Sequence, residues 1–182
     1  MTHHQIILGE SITSDKTNSI GKQCDFGDFL SEAAGWKIIE ATAKWKGTPY
    51  GMVGSGSVKG VIGDCSGITN KSYIDAGFPY PYQSTANFAN YARLSNRFRK
   101  IDLTHIALQV GDILLWPGHM AIYAPFPEGH PDRDTNVILR GKPQMNDMYT
   151  AFNTHTGVPY SPYNIATFRS DPYTAYRHLL LK

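Results

Sequence analysis

The sequence predicts an α+β fold in which helices come first and an antiparallel sheet follows. Three segments with helical spacing or helix-end signals lie before residue 100, and short apolar runs separated by turn residues follow them. At 182 residues, 41% of them hydrophobic, the chain is long enough for one domain with a substantial core. We assign residues 1–28 to an N-terminal arm or lead-in, because they lack periodicity, and residues 29–182 to the single domain.

The first helix is predicted from Ser31 to Trp45. Its apolar residues recur at mostly helical spacing, Ser31 is a suitable N-cap, and Gly47 ends the segment. A tight turn and a glycine-rich loop follow over residues 47–63. These glycines have neither a Gly-Lys-Ser/Thr ending nor a dinucleotide-binding spacing, so they are a weak signal for a phosphate site.

The second helix is predicted from Ile68 to Ala76, with Gly77 as its left-handed cap. The stretch Gly-Asp-Cys-Ser-Gly lies immediately before it, which places Cys65 at the helix N-terminus. Unpaired backbone N–H groups and the positive end of the dipole favour an anion at a helix start. We therefore expect the pKa of Cys65 to fall. We also expect Gly63 and Gly67 to leave room for a substrate backbone near the sulfur. A catalytic nucleophile and a buried structural cysteine both fit this stretch.

The rest of the chain changes from helix to strand. A third helix is predicted from Ser84 to Ser95, and residues 98–103 are predicted to be a connector. Two antiparallel strands joined by a Pro-Gly turn, two smaller strands and a closing strand are then predicted, at residues 110–116, 119–124, 137–139, 148–152 and 173–181.

A cysteine nucleophile needs a base, and His119 is the best-placed histidine. It begins a strand directly after a turn, where a side chain can project from the sheet edge towards a helix end. An imidazole there would form a thiolate–imidazolium pair with Cys65. Taken alone, a histidine at a strand start also fits a structural or exposed role. His155, in a polar loop, is a candidate third member of the site.

Composition argues against several classes of protein. The two cysteines, Cys24 and Cys65, have no metal-ligand spacing, so no metal or other cofactor is predicted, and a disulfide between them is the less favoured use of Cys65. A formal net charge of +2 gives no support for a nucleic-acid partner. The sequence lacks an apolar run long enough for a transmembrane helix, so no membrane partner is predicted. It also lacks a Sec signal peptide at its start. We expect a protein made in the cytoplasm that stays there or leaves by a signal-independent route.

Four short motifs follow one another in the chain at Gly47–Tyr50, Asp64–Gly67, Val110–Leu114 and Gly118–Tyr123. Together they resemble the signatures of the NlpC family of bacterial cell-wall cysteine peptidases, relatives of papain. The resemblance covers roughly residues 35–124. It implies a papain-like fold, with the nucleophile at a helix N-terminus packed on an antiparallel β-sheet.

The same resemblance implies roles for five residues. Cys65 is the nucleophile, His119 is the base, and Tyr50 is a hydroxyl near the oxyanion. The backbone N–H of Cys65 completes the oxyanion hole, as its position at a helix start also indicates. Asp64 and Ser66 would line the site for the free amine or the D-glutamyl group of a peptidoglycan stem peptide.

The third member of the site departs from the family pattern. In the family a polar residue, usually His, lies on the strand after the base, often just before an Ala. Here Thr150 precedes Ala151, with Asn153 and His155 close by. We name His155 as the third member, with Asn153 and Thr150 as rivals; such a residue orients the base and does not attack the substrate.

The implied activity is hydrolysis of the amide bond between D-glutamate and the diamino acid of peptidoglycan stem peptides. Without a signal peptide, the protein would be a toxin delivered by a secretion machine, a phage-related lysin or a wall-recycling enzyme. Delivery against rival bacteria is our first hypothesis, with an inhibitor (immunity) protein as a possible partner. A papain-like acyltransferase or amidase with a non-murein substrate stays open. So does a catalytically silent glycan- or peptide-binding module, although intact Cys65 and His119 argue against it.

Overall fold

The computed structural model describes residues 28–134, 145–151 and 160–180. Most of the predicted arm, Cys24, the predicted strand at 137–139, Asn153 and His155 lie outside these ranges. The helices are α1 (Glu32–Ala43), α2 (Cys65–Asp75), α3 (Thr85–Ser95) and α4 (Ile165–Phe168). The strands are β1 (Asp28–Phe29), β2 (Phe98–Ile101), β3 (Ile113–Trp116), β4 (His119–Tyr123), β5 (Met148–Thr150), β6 (Ser161–Tyr163) and β7 (Thr174–Leu180).

The strands form one antiparallel sheet in the order β1–β7–β3–β4–β5–β6, and β2 also pairs with β7. The helices α1, α2 and α3 precede most of the strands in the chain, and α2 packs on β4. The α+β prediction is therefore confirmed, including a helix that starts at Cys65 and packs on an antiparallel sheet. None of the helices in the described ranges combines the length and hydrophobicity needed to cross a membrane.

The first three helices lie where the sequence predicts them. The Ser31 side chain caps α1 by accepting a hydrogen bond from the Ala34 backbone N–H at 3.2 Å. Gly77, with a φ of 92°, has the left-handed backbone expected after α2. These elements are set by local side-chain and backbone chemistry, which explains why sequence patterns locate them.

The predicted connector at residues 98–103 is wrong in part, because residues 98–101 form β2. Phe98 and Ile101 at its two ends are buried, whereas Arg99 and Lys100 occupy its middle. This short strand lacks the apolar run or the alternation that a sequence search uses. Its partner lies far along the chain, since Phe98 pairs with His178 of β7.

The core lies on both faces of the sheet. A larger cluster joins the first three helices to one face, and a smaller cluster that includes Leu114 and Trp116 covers the other face. On α2, the buried Tyr73 hydroxyl donates to the Gly111 carbonyl, which ties the helix to the segment just before β3. The position of α2, and hence of Cys65, is therefore anchored at several points.

Candidate active site

Cys65 is the first residue of α2, and only 7% of its surface is exposed. The carboxylate of Asp64 caps the helix by accepting a hydrogen bond from the Gly67 backbone N–H at 2.8 Å. Because α2 packs on β4, the Cys65 sulfur lies within hydrogen-bonding reach of the Met120 backbone. Cys65 is a free cysteine placed between a helix start and the sheet.

The protonation of this thiol differs from the expectation for a helix start. Burial raises the pKa of Cys65 to about 11, and the charge of Asp64 also acts to raise it. Backbone hydrogen bonds from Met120, Ser66 and Cys65 itself lower the pKa, as a helix start should, but desolvation outweighs them. The expected fall in the pKa is therefore wrong, and Cys65 rests as a neutral thiol at neutral pH.

His119 is the first residue of β4 and directly precedes Met120. The backbone that approaches the Cys65 sulfur thus belongs to the neighbour of the predicted base. Nε2 of the imidazole lies 2.8 Å from Oγ1 of Thr150, the last residue of β5. The Phe168 ring packs against the imidazole, with ring centroids 4.9 Å apart and planes 35° from parallel.

The Thr150 hydroxyl determines which nitrogen of His119 can act as a base. Oγ1 lies 2.7 Å from the Met120 carbonyl oxygen, to which it donates its single proton. Towards His119 the same oxygen can then only accept, so Nε2 carries the ring proton. Nδ1 keeps its lone pair and is the nitrogen available to a thiol proton.

The imidazole is also neutral in the resting site. Burial lowers the pKa of His119 to about 4, and the charge of Arg169 lowers it further, while that of Asp171 opposes this effect. The rings of Phe168 and Trp116 cover the imidazole and account for part of the burial. Burial thus favours a neutral thiol and a neutral imidazole over the thiolate–imidazolium pair expected from the sequence.

Tyr50, the residue predicted to lie near the oxyanion, is joined through its backbone to the segment just before α2. A parallel bridge joins Tyr50 to Gly63, with backbone hydrogen bonds of 3.0 Å on either side. Burial raises the pKa of Tyr50, and the charges of Cys65 and Asp64 raise it further. The phenol thus keeps its proton and lies close enough to Cys65 to interact with it electrostatically.

Asp64 and Ser66 are both buried and have partners within the chain. Oδ2 of Asp64 accepts a hydrogen bond from the Gly54 backbone N–H at 2.6 Å. The Ser66 hydroxyl lies 3.3 Å from Oδ1 of Asp64 and 3.0 Å from the Tyr82 hydroxyl. Together they hold the glycine-rich loop against α2, and their role in binding a substrate amine stays a prediction.

The two glycines beside Cys65 make room for the protein itself. A Cβ atom at Gly67 would collide with the Gly54 carbonyl oxygen and the Ser57 hydroxyl, and one at Gly63 would lie 2.8 Å from the Ile68 side chain. We therefore correct the expectation that these glycines open space for a substrate: their missing side chains let the loop pack against α2.

Thr150 thus takes the orienting position, which the sequence left between three residues, while His155 and Asn153 lie outside the described residues. Sequence reasoning missed Phe168, whose ring packs against His119, and Tyr160, which is buried in the same cluster as Cys65. No sequence pattern distinguishes these aromatic residues from others in turn-rich segments. Within the described ranges, no group of three or more His, Cys, Asp or Glu side chains is placed to hold a metal ion.

The chain is similar to several solved structures. No protein-family model and no curated protein sequence matches it. A Staphylococcus aureus subsp. aureus Mu50 structure, described as similar to lipoprotein and of the NLP/P60 family, is 15% identical with a TM-score of 0.49. That alignment covers 86% of this chain and 44% of the other.

Two structures of the Resuscitation Promoting Factor Interacting protein RipA are also similar, one mutated at a histidine and the other at a cysteine. They are 21% and 20% identical, each with a TM-score of 0.47, and the alignments cover 81% and 82% of this chain. The same alignments cover 62% and 63% of RipA, so this chain spans less than two thirds of each of the three structures.

Proposed function

We propose that this chain is a cysteine peptidase that hydrolyses an amide bond in peptidoglycan stem peptides, between D-glutamate and the diamino acid. The observation that carries the catalytic part is the set of contacts around Met120. Its backbone approaches the Cys65 sulfur, its carbonyl accepts the Thr150 proton, and the preceding residue is His119. The four motifs that resemble the NlpC family support the choice of substrate.

The reaction begins with two neutral groups. As Sγ of Cys65 attacks the carbonyl carbon, its proton passes to Nδ1 of His119, and Thr150 holds the ring through Nε2. The negative charge that develops on the carbonyl oxygen is held by the Cys65 backbone N–H and the Tyr50 hydroxyl. The imidazolium then protonates the leaving nitrogen, and an acyl-enzyme remains.

Hydrolysis of the acyl-enzyme uses the same base. Nδ1 of His119 takes a proton from water, the hydroxide attacks the thioester carbonyl, and Cys65 leaves and recovers its proton. Because burial lowers the pKa of His119 to about 4, the resting imidazole is unprotonated in the neutral range, so each turnover starts from the form that can accept a proton. We further propose delivery against rival bacteria, with an inhibitor (immunity) protein as partner.

The test is digestion of purified murein sacculi by the wild type and by Cys65→Ala, with the fragments read by mass spectrometry. We expect the wild type to release fragments cut between D-glutamate and the diamino acid, and Cys65→Ala to release none. Cuts at another bond would correct the specificity only. No release by a folded wild type with a reactive thiol would exclude the murein substrate and favour another amide or acyl substrate.

A further inference from the structure

The turn that leads into His119 lies at the surface. It joins β3 to β4 through Pro117 and Gly118, which are both exposed, and Gly118 has a φ of 72°. A side chain at Gly118 would meet no other described residue within 4 Å except its chain neighbours, so the space beside the turn is open. The Thr150 hydroxyl bonds to the imidazole and to the Met120 carbonyl, on the sheet side of the base. The position of His119 therefore also depends on what holds the turn from its other side.

Residues 168–171, which we call the turn clamp, contact this turn through two hydrogen bonds. Nη1 of Arg169 donates to the Pro117 carbonyl at 3.2 Å. Nε1 of Trp116, the last residue of β3, donates to the Asp171 carbonyl at 3.1 Å. One bond therefore runs from the clamp to the turn, and the other runs from the strand before the turn to the clamp.

Arg169 is itself held in a fixed orientation by Asp171. Nε of the guanidinium lies 2.7 Å from Oδ1 of the carboxylate, and Nη2 lies 2.6 Å from Oδ2. This bidentate pair occupies one edge of the guanidinium and leaves Nη1 to reach the Pro117 carbonyl. The two side chains are 33% and 37% exposed, so solvent screens the pair and it adds little to stability. Its effect is geometric, because it directs one donor at the turn.

The turn clamp is anchored to the sheet on both sides. It overlaps the end of α4, where the Ile165 backbone N–H donates to Oδ1 of Asp147 at 2.7 Å, and it leads into β7, which pairs with β2 and β3. The Phe168 ring packs against the imidazole of His119 at 4.9 Å and against the Trp116 ring at 5.8 Å. The clamp therefore cannot move away from the turn without losing contacts with the sheet.

We infer that Arg169 is a positioning residue: through the Pro117 carbonyl it holds the turn so that the base stays directed at the nucleophile. The inference rests on the proposed roles of His119 and Cys65. A base must lie within hydrogen-bonding reach of the proton that it takes, and a displacement of about 1 Å can cost on the order of a hundredfold in rate. An exposed turn depends on contacts from other segments to prevent such a displacement.

Pairing with Asp171 also explains how an arginine is tolerated near the base. Burial is the larger cause of the low pKa of His119, the charge of Arg169 lowers this pKa further, and the charge of Asp171 opposes that effect. An unpaired cation would disfavour the imidazolium that forms when the thiol proton is transferred. The carboxylate offsets part of this repulsion, so Arg169 holds the turn at a small electrostatic cost.

The test compares Arg169→Met, which keeps the aliphatic stem and removes the donors, with Arg93→Met as its matched control. Arg93 is an exposed arginine on α3 that also donates a hydrogen bond. Each change is made with His119 intact and in His119→Leu, always with Cys24→Ser so that Cys65 is the only thiol. The measurement is the rate of alkylation by iodoacetamide at neutral pH, which reports how readily the thiol loses its proton.

We expect Arg169→Met to slow alkylation about tenfold when His119 is present and to have no further effect in His119→Leu. A merely structural contribution would slow alkylation equally in both backgrounds. Arg93→Met should match its parent in each, and thermal unfolding should show all variants folded. Equal slowing by Arg169→Met in both backgrounds, or slowing in neither, would overturn the inference.

Proton NMR gives a second readout, which follows the imidazole directly. The Nε2–H of His119, bonded to Thr150, should give a downfield signal in the parent and in Arg93→Met, and should exchange with water about tenfold faster in Arg169→Met. Unchanged exchange in Arg169→Met would overturn the inference.

Neither measurement uses murein, so the inference and the proposed function can fail separately. If His119→Leu slows alkylation and Arg169→Met does not, the inference fails while the proposed peptidase stands, and the digestion of sacculi tests the peptidase. If His119→Leu itself leaves the alkylation rate unchanged, both the inference and the proposed proton transfer to His119 are overturned.

Discussion

His119 is half-buried and His178 is buried, and burial lowers the pKa of each to about 4. Their hydrogen bonds differ. Nε2 of His119 bonds to Thr150, whereas neither ring nitrogen of His178 has a hydrogen-bond partner in the described part of the chain. His178 instead packs against aromatic rings, with the Phe98 centroid 5.0 Å away. Similar pKa values thus accompany two very different surroundings.

This comparison shows that a perturbed pKa does not by itself identify a catalytic histidine. Structural groups are perturbed as strongly as functional ones when they are equally buried. What distinguishes His119 is that a partner fixes its tautomer and that the next residue in the chain approaches the Cys65 sulfur. His178 lies in β7, where it pairs with Phe98 and fills the core.

Replacing each histidine by leucine should give the largest difference between the two positions, in the rate of hydrolysis. His119→Leu removes the base, and we expect the hydrolysis rate to fall by about 10²–10⁴-fold. His178→Leu keeps an apolar contact with the surrounding rings and should leave the rate within about threefold, since its loss does not reach the reacting atoms. Initial rates of fragment release from sacculi measure both. Equal losses in two folded variants would remove the functional distinction.

Stability at acid pH should show what the two histidines share. The unfolded chain binds a proton at each near the ordinary pKa of 6.5, whereas the folded protein holds each neutral down to about pH 4. The free energy of unfolding is therefore undiminished by these histidines above pH 6.5. It falls as the pH drops towards 4, by about 3 kcal/mol for each histidine. Urea unfolding at several pH values measures this loss.

His178→Leu should reduce the loss of unfolding free energy at acid pH by the contribution of one histidine. His119→Leu should reduce it by a similar amount. Carboxylates that titrate in the same range are common to all the proteins compared, so they cancel in the differences. An unchanged pH dependence in His178→Leu would show that His178 is not held neutral by burial.

The smallest expected effect comes from removing the Thr150 hydroxyl, the hydrogen-bond partner that His119 has and His178 lacks. Thr150→Val preserves the shape of the side chain but removes the hydroxyl, so Nε2 of His119 loses its acceptor. We expect the hydrolysis rate to fall by roughly tenfold to a hundredfold, which corresponds to about 1–3 kcal/mol. Thr150→Ser retains the hydroxyl and should stay within a few-fold of wild type. Full activity in a folded Thr150→Val would show that the imidazole needs no orienting partner.

Much of the site could be predicted from sequence because its main residues lie in short motifs. Asp64 and Cys65 form a helix start whose cap is determined by neighbouring residues, and His119 follows a turn that any Pro-Gly pair favours. Thr150 could only be named as a rival to His155, because its hydrogen bond to His119 depends on the register between β4 and β5. Tyr160 had no signal, since its burial in the same cluster as Cys65 depends on its pairing with Gly47 and Thr48, far away in the chain.

By itself the sequence determined where α1, α2 and α3 lie, that Cys65 begins a helix, and that a histidine begins a strand after a turn. These features depend on interactions within a few residues, such as caps, turns and periodic apolar faces. The tertiary structure alone decided the charge states of the site and the orientation of its base. The physical reason is that desolvation depends on which distant segments cover a group. Burial by packed segments raised the pKa of Cys65 and lowered that of His119 against the effects of the local helix start and the expected ion pair.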